Sequence, residues 1–328
     1  MKIFVISGFL GAGKTTFIQT LFEKTGIDFA VMENEYGEAG IDGAVLKRDR
    51  LKVWELTEGC ICCSLKSDFA SSILTIANTL APEYLIVEPT GVGLLSAVLQ
   101  NIGKIEYDRI QLLAPVTVAD VHCVEHYLKE FGDIYADQLK NTPRILLSKI
   151  ENTSAEELDR ITAILRTVNP DAEILNTPYQ NQPADWWYRL LQTPLNKQRT
   201  PVLPEKDHAP DLENISIAGV AADTVNELLE LLIALLRGYF GTVYRAKGFV
   251  SIGGQWTKFD IVDKQYTVAV CDPMPEAKAV IIGQKLDRER LRKAFTAVAP
   301  LSYRQYTAVQ GAEYGSKRGM SFPSLSAR

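Results

Sequence analysis

The 328-residue chain exceeds the usual single-domain length of about 100–200 residues, and its 46% hydrophobic and 23% charged content is that of an ordinary globular protein. A formal net charge of -5 excludes nucleic-acid binding driven by counterion release, unless a local basic patch opposes the overall field. Three of the five cysteines lie within four positions, which offers no disulfide framework, and the strongest apolar run, Leu228–Leu236, carries Glu230 and is far shorter than the ~20 residues of a membrane span. A reduced, cytoplasmic protein with neither nucleic-acid nor membrane partner is expected.

Met1–Ile6 has the apolarity of a short signal-peptide core, but Gly8 and Lys14-Thr15-Thr16 follow where a small-residue cleavage site belongs, so a first strand is expected at Ile3–Ser7. Further strands are expected at Ala30–Glu33, Lys52–Leu56, Tyr84–Glu88, Leu112–Ala119, Ile145–Ser148 and Ala172–Leu175. Between them lie segments of helical period, such as Phe17, Ile18, Leu21, Phe22 and then Phe69, Ile73, Ile76, Leu80. This alternation predicts the α/β class: a doubly wound, mostly parallel sheet with helices on both faces, spanning residues 1–192. Ligands of such sheets bind beyond the carboxyl ends of the strands.

From 193 to 211 the pattern dissolves into Pro194, Pro201, Pro204 and Pro210 among polar residues, and a linker is expected there. Residues 212–310 read as a smaller α+β domain. It holds strands at Ile215–Val220, Thr242–Ile252, Trp256–Val262, Tyr266–Val270 and Ala279–Ile282, a helix opened by Asp223, and a last helix from Asp287. The Gly- and Ser-rich tail 311–328 is expected to be disordered. Trp186 and Trp187 read as packing at the end of the first domain.

Gly8-Phe9-Leu10-Gly11-Ala12-Gly13-Lys14-Thr15 fits the P-loop NTPase motif G-x-x-x-x-G-K-S/T. Glycines let successive backbone N–H groups converge on phosphate oxygens, and the following helix presents its positive end. Lys14 is placed to bridge the β and γ phosphates, Thr15 to hold Mg²⁺ through its hydroxyl, and Thr16 to reach the α phosphate. A Gly-rich turn without ligand is the plain alternative. Glu88 ends an apolar strand and precedes Pro89-Thr90-Gly91, which makes it the candidate for Mg²⁺ or its water shell, with the Gly91 N–H toward the γ phosphate. Ser148-Lys149-Ile150-Glu151 has the form of the guanine motif N/S/T-K-x-D, in which a carboxylate reads the N1 and N2 hydrogens and the Lys stem covers the ring. Glu151 is one methylene longer than the expected Asp, so guanine is favoured over relaxed or adenine specificity without being fixed.

Gly59-Cys60-Ile61-Cys62-Cys63 places three thiols on one short segment. Thiolates are preferred ligands of Zn²⁺, and a tetrahedral site needs one further donor, for which Glu33 and Glu35 are candidates. A redox pair and inert buried cysteines are the competing readings. His122, Cys123 and His126 form a second, weaker cluster, more simply read as a cap and a surface residue.

Taken together, these motifs resemble the CobW family of metallochaperone GTPases. The resemblance rests on Gly-Phe-Leu-Gly-Ala-Gly-Lys-Thr-Thr at 8–16, Glu-Asn-Glu-Tyr-Gly-Glu at 33–38, Gly-Cys-Ile-Cys-Cys at 59–63 and Glu-Pro-Thr-Gly at 88–91, with Arg245-Ala-Lys-Gly248 in the smaller domain. It implies GTP hydrolysis coupled to delivery of a transition metal, zinc most often and cobalt in some relatives, to a client metalloprotein. Cys60, Cys62 and Cys63 match the family's metal motif. The chain departs from the family at Glu151, and with only three histidines it lacks the His-rich stretch that many relatives use to store metal. A P-loop small-molecule kinase and a GTP-gated interaction switch with structural cysteines are the rival functions. A homodimer is compatible with the sequence.

Overall fold

The computed structural model describes residues 1–33, 52–55, 66–196, 201–202, 212–262 and 264–296, with the backbone alone at 52–55 and 66–68. Glu35, Cys60, Cys62 and Cys63, and the tail 311–328 lie outside the described residues. The chain divides into two compact units, Met1–Asp211 and Leu212–Arg328.

The first unit runs β1 (Lys2–Ser7), α1 (Lys14–Thr25), β2 (Ala30–Glu33), β3 (Lys52–Glu55), α2 (Lys66–Thr79), β4 (Tyr84–Glu88), α3 (Leu95–Gly103), β5 (Gln111–Leu112), β6 (Val116–Asp120), α4 (Val124–Glu130), α5 (Gly132–Lys140), β7 (Arg144–Ser148), α6 (Ala155–Val168), β8 (Glu173–Leu175) and α7 (Ala184–Leu190). Among the described residues the sheet order is β3-β2-β4-β1-β6-β7-β8, with β5 also on β1, and every pairing is parallel. The expected doubly wound sheet is therefore present. Its central strand explains the continuous apolar run at the start of the chain, because a parallel strand is covered on both faces. Phe4 and Ile6 pack with Phe17, Ile18 and Leu21 of α1 and with Trp187, while Ile3 and Val5 pack with Ile73 of α2 and with Leu95, Val98 and Leu99 of α3.

Leu112–Ala119, expected as one strand, is two. β5 joins the start of β1 and β6 joins its end, with Ile6 opposite Val116. Between them the Leu113 N–H donates to Ile3 O and the Ala114 N–H to Thr193 O, and Pro115 has no N–H to give the ladder. Thr193–Leu195, read as linker on composition, lies along this break, and the Leu195 N–H donates to Leu112 O at 3.0 Å.

The second unit is an antiparallel sheet, β12-β11-β10-β13-β9 among the described residues, formed by β9 (Glu213–Ala218), β10 (Thr242–Ile252), β11 (Gln255–Val262), β12 (Gln265–Val270) and β13 (Lys278–Gln284). Helices α8 (Val225–Leu236) and α9 (Arg288–Thr296) bury Leu228, Leu231, Leu232, Leu291 and Phe295 against Ala246, Val250, Phe259 and Ile281. The first of these helices starts one residue later than the Asp223 signal suggests. Thr224 is its N-cap, and Glu227 completes a reciprocal capping box. Asp287 caps the second by accepting from the Arg290 N–H at 3.0 Å.

Trp187 is fully buried, with ring centroids 5.4 Å from Phe17 and 5.0 Å from Trp186. Trp187→Ala is expected to cost about 3–5 kcal/mol of stability in the first unit, read as a lowered denaturant midpoint in equilibrium unfolding.

Candidate functional site

Three loops leave the sheet at neighbouring carboxyl ends: the turn after β1, the Pro89–Gly93 segment after β4 and the Lys149–Glu151 segment after β7. The crevice lies where the order turns, since β1 is flanked by β4 on one side and β6 on the other.

The turn after β1 is built against its neighbours. Gly8 has φ 147° and so close an approach to β6 that a Cβ there would lie 2.4 Å from the Val118 carbonyl oxygen. Phe9, at a position the motif leaves free, is buried among aromatic rings, with centroids 4.5 Å from Tyr127, 4.6 Å from Phe131 and 5.6 Å from Tyr135. Such a nest of offset and edge-on rings holds the turn rigid from below. Helix α1 then starts without a side-chain cap, so its first N–H groups are directed at whatever anion the loop holds.

Lys14 is almost fully buried. Its Nζ donates to Gly8 O at 3.0 Å and lies 3.8 Å from Glu88 Oε1, so the ammonium is held inside the loop beside the carboxylate that ends β4. Thr15 is half-buried and Thr16 exposed on the same helical turn. Glu33, at the end of β2, is buried and stands in register with Glu88. Two buried carboxylates at adjacent strand ends repel unless cations sit between them. Glu88 and the Thr15 hydroxyl are oxygen donors of the kind Mg²⁺ takes, so these two residues fit that ion by their chemistry.

The loop after Glu88 touches the first loop through backbone. A Cβ on Gly91 would lie 2.8 Å from the Leu10 nitrogen, so only glycine allows the approach. Thr90 closes the turn by accepting from the Gly93 N–H at 2.9 Å. Gln138 of α5, buried completely, donates through Nε2 to both Gly91 O at 3.1 Å and Gly93 O at 2.9 Å.

At the third loop, the Ser148 hydroxyl donates to Ala12 O at 2.7 Å, which ties the end of β7 to the phosphate loop. Lys149 takes a left-handed φ of 59°, and its Nζ lies 2.6 Å from Oδ2 of Asp120, the buried carboxylate ending β6. The other oxygen of Asp120 accepts the His122 N–H at 3.0 Å, and His122 Nε2 lies 3.1 Å from Lys149 O. His122, Cys123 and His126 form no metal-holding group, nor does any other cluster of three His, Cys, Asp or Glu among the described residues. Glu151 is exposed, and its charge together with burial pushes the Tyr179 phenol up to about 12, burial being the larger cause.

The structure thus brings Gly8, Gly11, Ala12, Gly13, Lys14, Thr15, Glu88, Gly91, Glu33 and Ser148 to one edge, with Lys149 and Glu151 on the far side of the loop. Sequence reading missed Asp120, Gln138 and the aromatic nest of Phe9. A signal for Asp120 existed, since like Glu88 it is a carboxylate closing an apolar run, Val116-Thr117-Val118-Ala119. Asp120→Asn is expected to release Lys149 and weaken nucleotide binding about tenfold, because a charge-assisted hydrogen bond contributes ~1.5–3 kcal/mol; titration with a fluorescent nucleotide measures it.

Residues 2–176 match the nucleotide-binding domain of the CobW/HypB/UreG family, and residues 221–299 match the C-terminal domain of the cobalamin synthesis protein cobW. Among curated proteins, the zinc chaperone YjiA of Escherichia coli is 26% identical over 316 residues, covering 91% of this chain and 98% of its own. The zinc-regulated GTPase metalloprotein activator 1 of Dictyostelium discoideum is 27% identical, covering 54% of this chain and 46% of its own length. The zinc chaperone YeiR of Escherichia coli is 32% identical over 155 residues, 46% of this chain and 47% of its own. With more than half of its length matched by the nucleotide-binding domain, on the same loops that meet at the sheet edge, the chain belongs to the CobW/HypB/UreG family.

Proposed function

We propose that this chain is a GTP-hydrolysing metallochaperone that carries zinc on Cys60, Cys62 and Cys63 and delivers it to a client metalloprotein. The observation that carries this reading is the backbone register at the sheet's carboxyl edge. Glu55, Glu33 and Glu88 end β3, β2 and β4 as direct neighbours across the sheet, with Glu33 opposite both of the others. The segment with Glu35 therefore starts from one strand end and the cysteine segment from the next, and Glu33 stands opposite the Glu88 that Lys14 approaches to 3.8 Å. Covalent length keeps Cys60 within about 17 Å of the end of β3, five residues at ~3.4 Å each. The names of the relatives, zinc chaperone and zinc-regulated GTPase metalloprotein activator, support the same reading.

In this mechanism Lys14 leaves the Gly8 carbonyl for the β and γ phosphates of GTP, and the α1 N-terminus and loop N–H groups cradle the chain of phosphates. Thr15 and Glu88 would hold Mg²⁺, which when bound neutralises charge developing on the transferred phosphoryl group. The Gly91 N–H meets the γ phosphate, the Lys149 stem covers the base, and Glu151 reads the N1 and N2 hydrogens of guanine. Zinc, or Co²⁺ as a second soft cargo, is held by the three thiolates with Glu33 or Glu35 as further ligand. Hydrolysis loosens the loops that start at Glu33 and Glu55 and so weakens the grip on metal. Complete loading and release by this switch alone needs about 5.5 kcal/mol of coupling, more than the ~1–3 kcal/mol typical of allostery. The client therefore contributes to extraction. Without a partner, turnover is slow, on the order of 10⁻⁴ to 10⁻² per second.

Linkage gives the test. Zinc competition titrations of reduced protein with a GTP analogue, GDP or no nucleotide should give different affinities, and zinc should tighten the triphosphate by the same factor. Equal zinc affinity in all three states refutes the coupling. Cys62→Ser with Cys63→Ser should abolish stoichiometric zinc; unchanged metal content would make the cysteines structural. Glu151→Asp should raise discrimination of GTP over ATP about tenfold, as measured by competition between the two nucleotides.

A further inference from the structure

We propose that Gln138 is a positioning residue for hydrolysis, an amide clamp that holds the Thr90–Gly93 loop in the conformation that reads the γ phosphate. The inference rests on the assignment of that loop under the proposed function and adds a residue outside the phosphate, metal and base motifs.

The loop's composition makes a clamp necessary. Pro89 fixes one φ angle, but Gly91 and Gly93 have the widest backbone freedom of any residue type. Glycine is required at 91 by the approach to Leu10, so rigidity there must come from outside the loop. Both glycine carbonyls are taken by the single Gln138 amide, at 3.1 and 2.9 Å. The amide orientation follows from chemistry: turned over, its oxygen would face two carbonyl oxygens. Among the described residues Gln138 Oε1 has no hydrogen-bond partner, so the side chain's polar contacts are spent on the loop alone.

The clamp is itself anchored. The backbone carbonyl of Gln138 accepts from Thr117 of β6 at 2.9 Å, fixing this turn of α5 to the central sheet. Asp137 accepts from the Ser96 N–H at the start of α3 at 3.1 Å, holding the helix that follows the loop. Loop, following helix and sheet thus meet at two consecutive residues of α5. Released from Gln138, the loop would keep its attachment at Glu88 and the internal bond from the Gly93 N–H to Thr90 O, but lose the hold from α5 on where the Gly91 N–H points. A displacement near 1 Å at such a group costs up to about 100-fold in rate. Binding of the diphosphate, which uses the turn after β1 and the Lys149 segment, would be little changed.

Gln138→Glu, whose buried carboxyl can keep at most one of the two donor contacts, and Gln138→Met, which removes both without adding charge, provide the test. Both are compared with wild type and with Glu88→Gln for GDP affinity, affinity for a non-hydrolysable GTP analogue, and single-turnover hydrolysis, with folding checked by thermal melting. The expected result in a folded variant is GDP affinity within about twofold of wild type, preference for the triphosphate reduced about tenfold, and hydrolysis reduced 10- to 100-fold. Loss of GDP and triphosphate affinity in equal proportion would mark Gln138 as structural only and overturn the proposal. So would unchanged hydrolysis in either variant while Glu88→Gln is impaired. If Glu88→Gln leaves hydrolysis intact, the assignment of the loop after β4 fails, whatever Gln138 does.

Discussion

The parallel pairing of β1 with β4 on one side and β6 on the other brings the chemistry together. β1 and β4 stop within a residue of each other, so Glu88 emerges beside the phosphate loop and is delivered next to Lys14 without a long loop to place it, while β6 runs on past the residue opposite Ser7 to end at Asp120. The pairing tolerates nothing larger than hydrogen at Gly8, where the turn passes against the β6 backbone. Rigidity follows from packing on both faces of the sheet, because an interior filled like a crystal transmits displacement instead of absorbing it.

Charge is the second organising element. Glu33 and Glu88 are buried in register at adjacent strand ends, and Lys14 lies next to the second of them. Carboxylates withdrawn from water and set side by side favour binding of cations, whereas the α1 N-terminus and Lys14 favour an anion. A nucleotide triphosphate with its metal satisfies both demands at once. Asp120 plays the corresponding part on the other flank of β1, where it fixes Lys149 in the segment after β7.

Much of this was legible in the sequence for local reasons. The phosphate loop announces itself by spacing, the parallel sheet by uninterrupted apolar runs such as Ile3–Ile6 and Leu85–Val87, and Glu88 by closing one of those runs. The break at Leu113–Pro115 was not, because an apolar run with one proline reads as a strand until it is known that its two halves pair with opposite ends of β1. Gln138 was invisible for a different reason. A glutamine on an amphipathic helix has the pattern of a solvated residue, and only the tertiary position of α5 turns it toward two glycine carbonyls. Phe9 occupies a free position of the motif, and its importance lies in Tyr127, Phe131 and Tyr135, more than a hundred residues away. The cysteine segment, the clearest metal signal in the sequence, falls outside the described residues, so its part in the function rests on residue chemistry and on the end of β3 from which it starts.

The stitching of Thr193–Leu195 onto β5, and of β5 onto the first strand, bears on biogenesis. Thr193–Leu195 bonds to Leu112 and Ala114, but Lys2 is opposite Gln111 and Ile6 is opposite Val116, so β1 lacks its full set of neighbours until β6, ending at Asp120, has been made. At about 5–20 residues per second, synthesis of the roughly 115 residues from the end of β1 to the end of β6 takes about 6–23 s. Over that interval the strand Ile3-Phe4-Val5-Ile6 has no full set of neighbours. Topologies dominated by such distant pairings are slow to close and exposed to aggregation until they do, which makes nascent-chain protection a requirement imposed by the wiring of this fold.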